Sequence, residues 1–278
     1  MNPKPGDFII DGTVDGGGHA TEILKRILPK GKFLGVDLDE QMIAKCELQL
    51  MKDENIMLEQ GNYADLLEIL EKRKFGKADG LLLDLGFSST QLGNSGKGFS
   101  FLKDEPLLMT YDSRREPVKE LLKKIDVKTL AKLIFELSGE KFAMRIAGAI
   151  KNYEKRRSIE TAGELQKIIA GAVPGNYEHG RIDPATRTFQ ALRIWTNDEL
   201  GNLKIILSRL RDILKTGARV VIISFHSLED RLVKQEFRAM EKEGQIKILT
   251  KKPVVPSAEE QVLNPRSRSA KLRAAIIT

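Results

Sequence analysis

Four stretches of this chain place a glycine-rich or polar group directly behind an apolar run. "FII" leads into "DGTVDGGGHA" at residues 11–20, with glycines at 16, 17 and 18. "FLGVDLD" carries Asp37, "IMLEQGNY" carries Tyr63, and "LLLDLGFSSTQL" carries Asp84, Ser88, Ser89 and Gln91. Glycines let a backbone come close to a ligand. A carboxylate about twenty residues after such glycines can accept both hydroxyl hydrogens of a ribose. A tyrosine ring can lie on an adenine face. A carboxylate ending a fourth strand can meet an amine or a reacting group.

The glycine loop alone leaves its ligand open. A dinucleotide fingerprint needs G-x-G-x-x-G or A; Gly16 and Gly18 fit, but Thr21 stands in the third place. A Walker phosphate loop needs Lys-Ser or Lys-Thr after its glycines, and none follows here. A plain strand-to-helix turn is the third possibility. Asp37 has a competing role as a helix N-terminal carboxylate, although Asp39 suits that role better. Taken in order, the four groups point to S-adenosylmethionine. The glycines would lie near its methionine part, Asp37 at the ribose, Tyr63 near the base, and Asp84 at the cofactor amine or the reacting group.

These groups need a scaffold that brings strand ends together. "DFIID", "KFLGVDLD", "NIMLEQGN" and "ADGLLLDLG" read as strands, separated by helical patterns such as "HATEILKRIL" and "YADLLEILEKR". Alternating βαβα with strands this apolar predicts a parallel sheet covered by helices, a Rossmann-like α/β fold. The rhythm stops in the loop "GNSGKGFSFLKDEP" and gives way to helical patterns without a convincing strand. It resumes with one long helical run, "RTFQALRIWTNDELGNLKIILSRLRDIL", then the strand "ARVVIISF", then two last strands joined by a basic loop. The expected organisation is a first part at 1–104, an inserted helical domain at 105–183, and a second part at 184–278. Trp195 is expected to pack in a core or between domains, with base stacking as the rival role.

The 278 residues suffice for a sizeable core, and the single cysteine, Cys46, allows no internal disulfide. No apolar run has a membrane-spanning length, and the first residues lack a signal-peptide pattern, so a cytoplasmic location is expected. A net charge of +7 favours polyanionic partners such as nucleic acid. The positive charge clusters in "KNYEKRRS" and in "NPRSRSAKLR", where Arg266, Arg268, Lys271 and Arg273 alternate with serines that can also donate to phosphates. His226, in "SFHSLEDR", is a candidate for an RNA contact or for ordering its loop. No metal is expected.

The chain resembles a known family over nearly its whole length. "DGTVDGGGHATEIL", "LLLDLGFSSTQL" with "GKGFSF", "DPATRTFQALRIWTNDEL", "ISFHSLEDRLVKQEF" and "NPRSRSAKLRAA" are similar to the motif series of the bacterial small-subunit ribosomal RNA cytosine-N4 methyltransferases, the RsmH or MraW family. The resemblance implies a class I methyltransferase fold, a seven-stranded sheet whose last strand is antiparallel, with a helical substrate-recognition domain, here 105–183, inserted after strand four. It implies S-adenosylmethionine as cofactor, held by Gly17, Gly18, His19, Asp37, Tyr63, Asp84 and Gln91. It also implies methyl transfer to the N4 of a cytosine in the decoding centre of 16S ribosomal RNA, within the small ribosomal subunit. Asp84 and Ser88 are the catalytic candidates. Two stretches depart from the family pattern where substrate contacts are expected. "LLMTYD" lacks an Asp and an Arg, and Asp183 stands where a His is common. An inert RNA-binding assembly protein with the same fold, or a methyltransferase for another RNA, are the alternatives.

Overall fold

The computed structural model describes residues 1–50, 53–86 and 96–278. The chain forms two compact units, Met1–Gly86 with Leu200–Thr278, and Phe87–Glu199. The first half of unit 1 alternates as expected: β1 (Phe8–Asp11), α1 (Gly18–Ile27), β2 (Lys32–Asp37), α2 (Glu40–Gln49), β3 (Ile56–Gln60), α3 (Leu66–Lys72) and β4 (Ala78–Asp84). Successive strand residues point to opposite faces. Ile10, Leu81 and Leu83 therefore enter one core, while Ile9 and Leu82 enter the other. Each such buried side chain contributes about 1.5–3 kcal/mol. With both faces covered, an uninterrupted apolar strand is the only pattern that fits. Asp39 caps α2, its carboxylate accepting the Gln41 N–H, which leaves Asp37 for another task.

The second unit is helical: α4 (Val118–Lys124), α5 (Val127–Ser138), α6 (Ala143–Glu154), α7 (Ala162–Ala172) and α8 (Ala185–Asn197). Asp126 caps α5, Thr161 caps α7, and Gly139 ends α5 with a left-handed φ of +68°. Leu130, Ile134, Ile146, Ile150, Leu165 and Phe189 fill its core, and Trp195 packs against it. The divisions fall at 86/87 and 199/200, whereas the sequence pattern placed them at 104/105 and 183/184. Two physical causes account for the difference. The "GKGFSF" segment is tied to this unit through Met109 N–H to Lys97 O, 2.7 Å, and α8 lends Phe189 and Leu192 to its core.

The remainder of unit 1 comprises α9 (Glu199–Ser208) from Leu200 on, α10 (Leu210–Ile213), β5 (Leu214–Ser224), α11 (Ser227–Lys242), β6 (Ile246–Ile248), α12 (Ala258–Leu263) and β7 (Lys271–Ile277). The long helical run is broken at Asp198, whose φ is +51°; a short polar residue tolerates that left-handed turn. The expected basic loop before β7 contains α12 and a 3-10 turn at Pro265–Ser269. Ser257 starts α12 by accepting the Glu260 N–H at 3.0 Å, a capping signal that the basic residues obscured. The sheet order is β3-β2-β1-β4-β5-β7-β6. β7 runs antiparallel to both its neighbours, β5 and β6, and the other pairings are parallel. This is the class I methyltransferase arrangement that the resemblance implied.

Candidate functional site

The chain order in the sheet reverses between β1 and β4, so their carboxyl ends flank a crevice where ligands bind in such folds. Asp11 ends β1 and is wholly buried. Asp84 ends β4, and Thr13 ties the two together. Its hydroxyl accepts the Asp84 N–H at 2.7 Å, and its N–H donates to Asp11 Oδ1 at 3.1 Å. Across the loop, His19 Nε2 lies 3.3 Å from Asp84 Oδ2. That hydrogen bond raises the His19 pKa, against partial burial. Among the described residues, Asp11 Oδ2 and Asp84 Oδ1 are buried without a hydrogen-bond partner.

The glycine loop is shaped by neighbours on both sides. Gly17 has a φ of +80°, a conformation that disfavours any side chain. Gly12 needs its lack of a Cβ for another reason, because that atom would sit 2.6 Å from Leu83 Cδ2 and 3.0 Å from Tyr63 Cβ. Tyr63, in the 3-10 turn after β3, is thereby brought to the loop. Gly18 is open: a Cβ there would meet no neighbouring atom within 4 Å. The Asp37 carboxylate accepts the Asp15 N–H at 3.0 Å and the Asp39 N–H at 2.9 Å. Those two bonds aim it, and each oxygen keeps a second lone pair for a hydroxyl donor.

Burial and crowding of like charge dominate the electrostatics. Burial pushes the Asp11 carboxyl up to about 7, with the charges of Asp84 and Asp37 adding to it and the Thr13 N–H opposing it. Burial likewise raises Asp37 to about 6, opposed by its two backbone donors. A cationic ligand relieves this crowding, whereas a dinucleotide pyrophosphate would bring further negative charge.

The candidate RNA residues separate into two groups. Arg266 and Arg268 are exposed on the 3-10 turn. Arg273 is buried on β7, and its Nε donates to Asp230 Oδ1 at 2.7 Å, with Lys271 Nζ 3.5 Å from Asp230 Oδ2. That cluster fastens β7 to α11. His226 begins α11 as a capping box: its Nδ1 accepts the Glu229 N–H, while Glu229 Oε2 accepts the Phe225 and His226 N–H groups. Its geometry is that of a loop-ordering residue.

A model of the MraW methylase family matches residues 1–277. The chain belongs to that family. A relative from Syntrophus aciditrophicus, named ribosomal RNA small subunit methyltransferase H, is 43% identical over 292 residues, spanning 99% of this chain and 93% of its own. A relative of the same name from Synechocystis sp. is 43% identical, spanning 98% of this chain and 88% of its own.

The methylase's described residues fit S-adenosylmethionine. Its ammonium and sulfonium are cations, and the two unpartnered buried oxygens of Asp11 and Asp84 are acceptors awaiting a donor. Ser88 and Gln91 lie outside the described residues. The sequence pattern missed Asp11 and Thr13 as site groups. Their signal was present, an acid closing β1 directly before the glycine loop, but it read as a strand end. In the second unit, Asp183 accepts the Ala185 N–H at 2.7 Å and the Gln166 amide at 3.3 Å. It starts α8 there, a structural task. No helix among the described residues is long and apolar enough to cross a membrane.

Proposed function

We propose that this methylase transfers a methyl group from S-adenosylmethionine to the exocyclic N4 of a cytosine in the decoding centre of 16S ribosomal RNA, acting on the small ribosomal subunit in the cytoplasm. The observation that carries the reading is the pair of unpartnered buried oxygens, Asp11 Oδ2 and Asp84 Oδ1, on adjacent strands at the sheet's switch point. The full-length likeness to relatives named for the small-subunit ribosomal RNA supports the substrate.

Gly17, Gly18 and His19 would hold the methionine end of the cofactor, Asp37 its ribose and Tyr63 its base, with Gln91 contributing as the resemblance implies. When bound, the cofactor supplies a methyl group on an electron-poor sulfonium. The protein supplies position and charge. Cytosine N4 is a poor nucleophile because its lone pair is delocalised into the ring. Asp84 Oδ1 accepts a hydrogen bond from that amine and stabilises the positive charge that develops on it. His19, bonded to Asp84 Oδ2, fixes the direction of the carboxylate. Ser88 is a second acceptor candidate. The methylated nitrogen is acidic enough to lose its proton to Asp84 or to water, so no strong base is required. The target base must leave its stack to be reached. The helical unit, 87–199, is the substrate-recognition part of this reading.

The test is to incubate small ribosomal subunits lacking the modification with the protein and labelled cofactor, then map the label. The expected result is one labelled cytosine in the decoding centre. Label elsewhere, or none despite cofactor binding, overturns the reading.

A further inference from the structure

A second binding feature lies apart from the strand ends that form the crevice. α11 starts at the carboxyl end of β5 and runs away from it. Lys234 and Arg238 lie about 10 and 16 Å along it at 1.5 Å per residue. They are four residues apart and so share one helix face. After β6 the chain folds back over β7: Leu249 N–H bonds Ala274 O at 2.9 Å, and Val254 exchanges backbone bonds with Leu272 at 2.9 and 2.8 Å. This return presents Lys251 to the same place. Between them is a cavity of about 280 Å³, whose lining includes the cations Lys234, Arg238, Lys251 and Arg273, the carboxylate Glu241 and the apolar Phe237 and Ile248.

The cations of this cavity differ from the others nearby. Arg273 is already paired with Asp230. Glu241 is turned to β6, its Oε1 accepting the Ile248 N–H at 2.8 Å. Lys234, Arg238 and Lys251 are exposed, and among the described residues none makes an ion pair or a side-chain hydrogen bond. Among the described residues, three cations without ion pairs outnumber the one carboxylate without an ion pair, Glu241, around this concavity, and an anion offsets the repulsion that remains among them. Phe237, 1% exposed, and Ile248 give the cavity an apolar floor. A phosphate group with a sugar attached matches that combination of positive rim and apolar base better than a bare ion does.

We propose that Lys234, Arg238 and Lys251 form a phosphodiester-binding subsite for the ribosomal RNA backbone, remote from the methyl-transfer crevice. The subsite anchors the RNA through charge and carries no sequence information. The proposal rests on RNA being the substrate, but it is tested by binding and not by chemistry.

The test uses the full chain carrying Lys234→Ala, Arg238→Ala and Lys251→Ala together. Its affinity for small ribosomal subunits is measured by filter retention at several salt concentrations. Each lost phosphate contact lowers the slope of log affinity against log salt by about 0.7–0.9, so the slope should fall by about 2. Affinity at 0.1 M salt should fall about tenfold or more, KM for subunits should rise, and kcat and cofactor affinity should stay unchanged. Unchanged affinity and slope overturn the proposal. Inorganic phosphate and cytidine monophosphate are titrated in parallel. Saturable binding of either that the triple variant loses, with subunit binding unaffected, makes this a small-anion site and also overturns it. If the triple variant fails to fold, Lys251→Glu on the exposed return gives the same readouts. A wild-type chain whose subunit binding needs these cations but which methylates nothing keeps the subsite and sinks the enzymatic reading.

Discussion

His19 Nε2 stands 3.3 Å from Asp84 Oδ2, joining the first turn of α1 to the end of β4. The carboxylate has one oxygen held by the imidazole and the other, among the described residues, unpartnered. In the proposed mechanism His19 acts by orienting Asp84. His19→Gln keeps a donor and should retain much of the turnover. His19→Ala should lower kcat about tenfold and shift its pH profile, because the titratable group bonded to Asp84 is gone. Identical pH profiles in wild type and His19→Ala would contradict this role.

Asp84→Asn keeps the shape but removes the charge, and it should lower kcat about a hundredfold or more while leaving Tm unchanged. The competing role is cofactor binding alone. It would appear as weaker cofactor affinity with near-normal turnover at saturation, which steady-state kinetics and calorimetry separate.

Gly17 and Gly18 should respond differently although they are neighbours. Gly17 is left-handed, at φ +80°, so Gly17→Ala should cost about 1–2 kcal/mol of stability and lower Tm. A Cβ on Gly18 meets nothing within 4 Å, so Gly18→Ala should leave Tm unchanged and weaken only cofactor binding. Thermal scans with and without cofactor check both. Equal Tm losses in the two variants would refute the distinction.

The raised carboxyls give the site a pH dependence with a defined sign. Asp11, at about 7, and Asp37, at about 6, bind protons in the folded chain above the 3.8 of an ordinary Asp. Between pH 4 and 7 the folded state thus holds more protons than the unfolded state, and these groups make the ligand-free protein lose stability as pH rises. A cationic cofactor binds the ionised carboxylates, so its affinity should increase as pH rises through 6 and 7. Calorimetric titrations from pH 5.5 to 8 check this, and Asp11→Asn should flatten the upper part of the curve. An affinity that is constant, or that falls as pH rises, would overturn the assignment.

Arg273 and the Arg266/Arg268 pair should separate stability from RNA binding. Arg273→Ala leaves Asp230 without its 2.7 Å donor and should cost about 1–3 kcal/mol, read as a lower Tm. Arg266→Ala with Arg268→Ala touches only exposed side chains. It should leave Tm unchanged and reduce the salt slope of subunit binding by about 1.4–1.8. A double variant with wild-type slope would remove those two from the RNA surface.

The local pattern of this chain was enough to define most of the elements and their order, though not α12 or the break at Asp198. Apolar strands alternating with amphipathic helices, Asp39 as a cap, and the helical insertion are all set by residues close in sequence, and periodicity reports such contacts directly. The placement of the glycine loop, Asp37, Tyr63 and Asp84 at one edge of the sheet was legible because parallel strands bring their carboxyl ends together whatever the details. Tertiary structure alone decided the rest. Burial gave Asp11 its raised pKa and left one oxygen of Asp11 and one of Asp84 without partners. Asp230, forty-three residues away, took Arg273 out of the basic cluster, and Glu229 turned His226 into a cap. The return of the chain over β7 set Lys251 beside Lys234 and Arg238. Each of these depends on which distant group arrives beside a side chain, and charge, burial and pairing are properties of that neighbourhood rather than of the residue type.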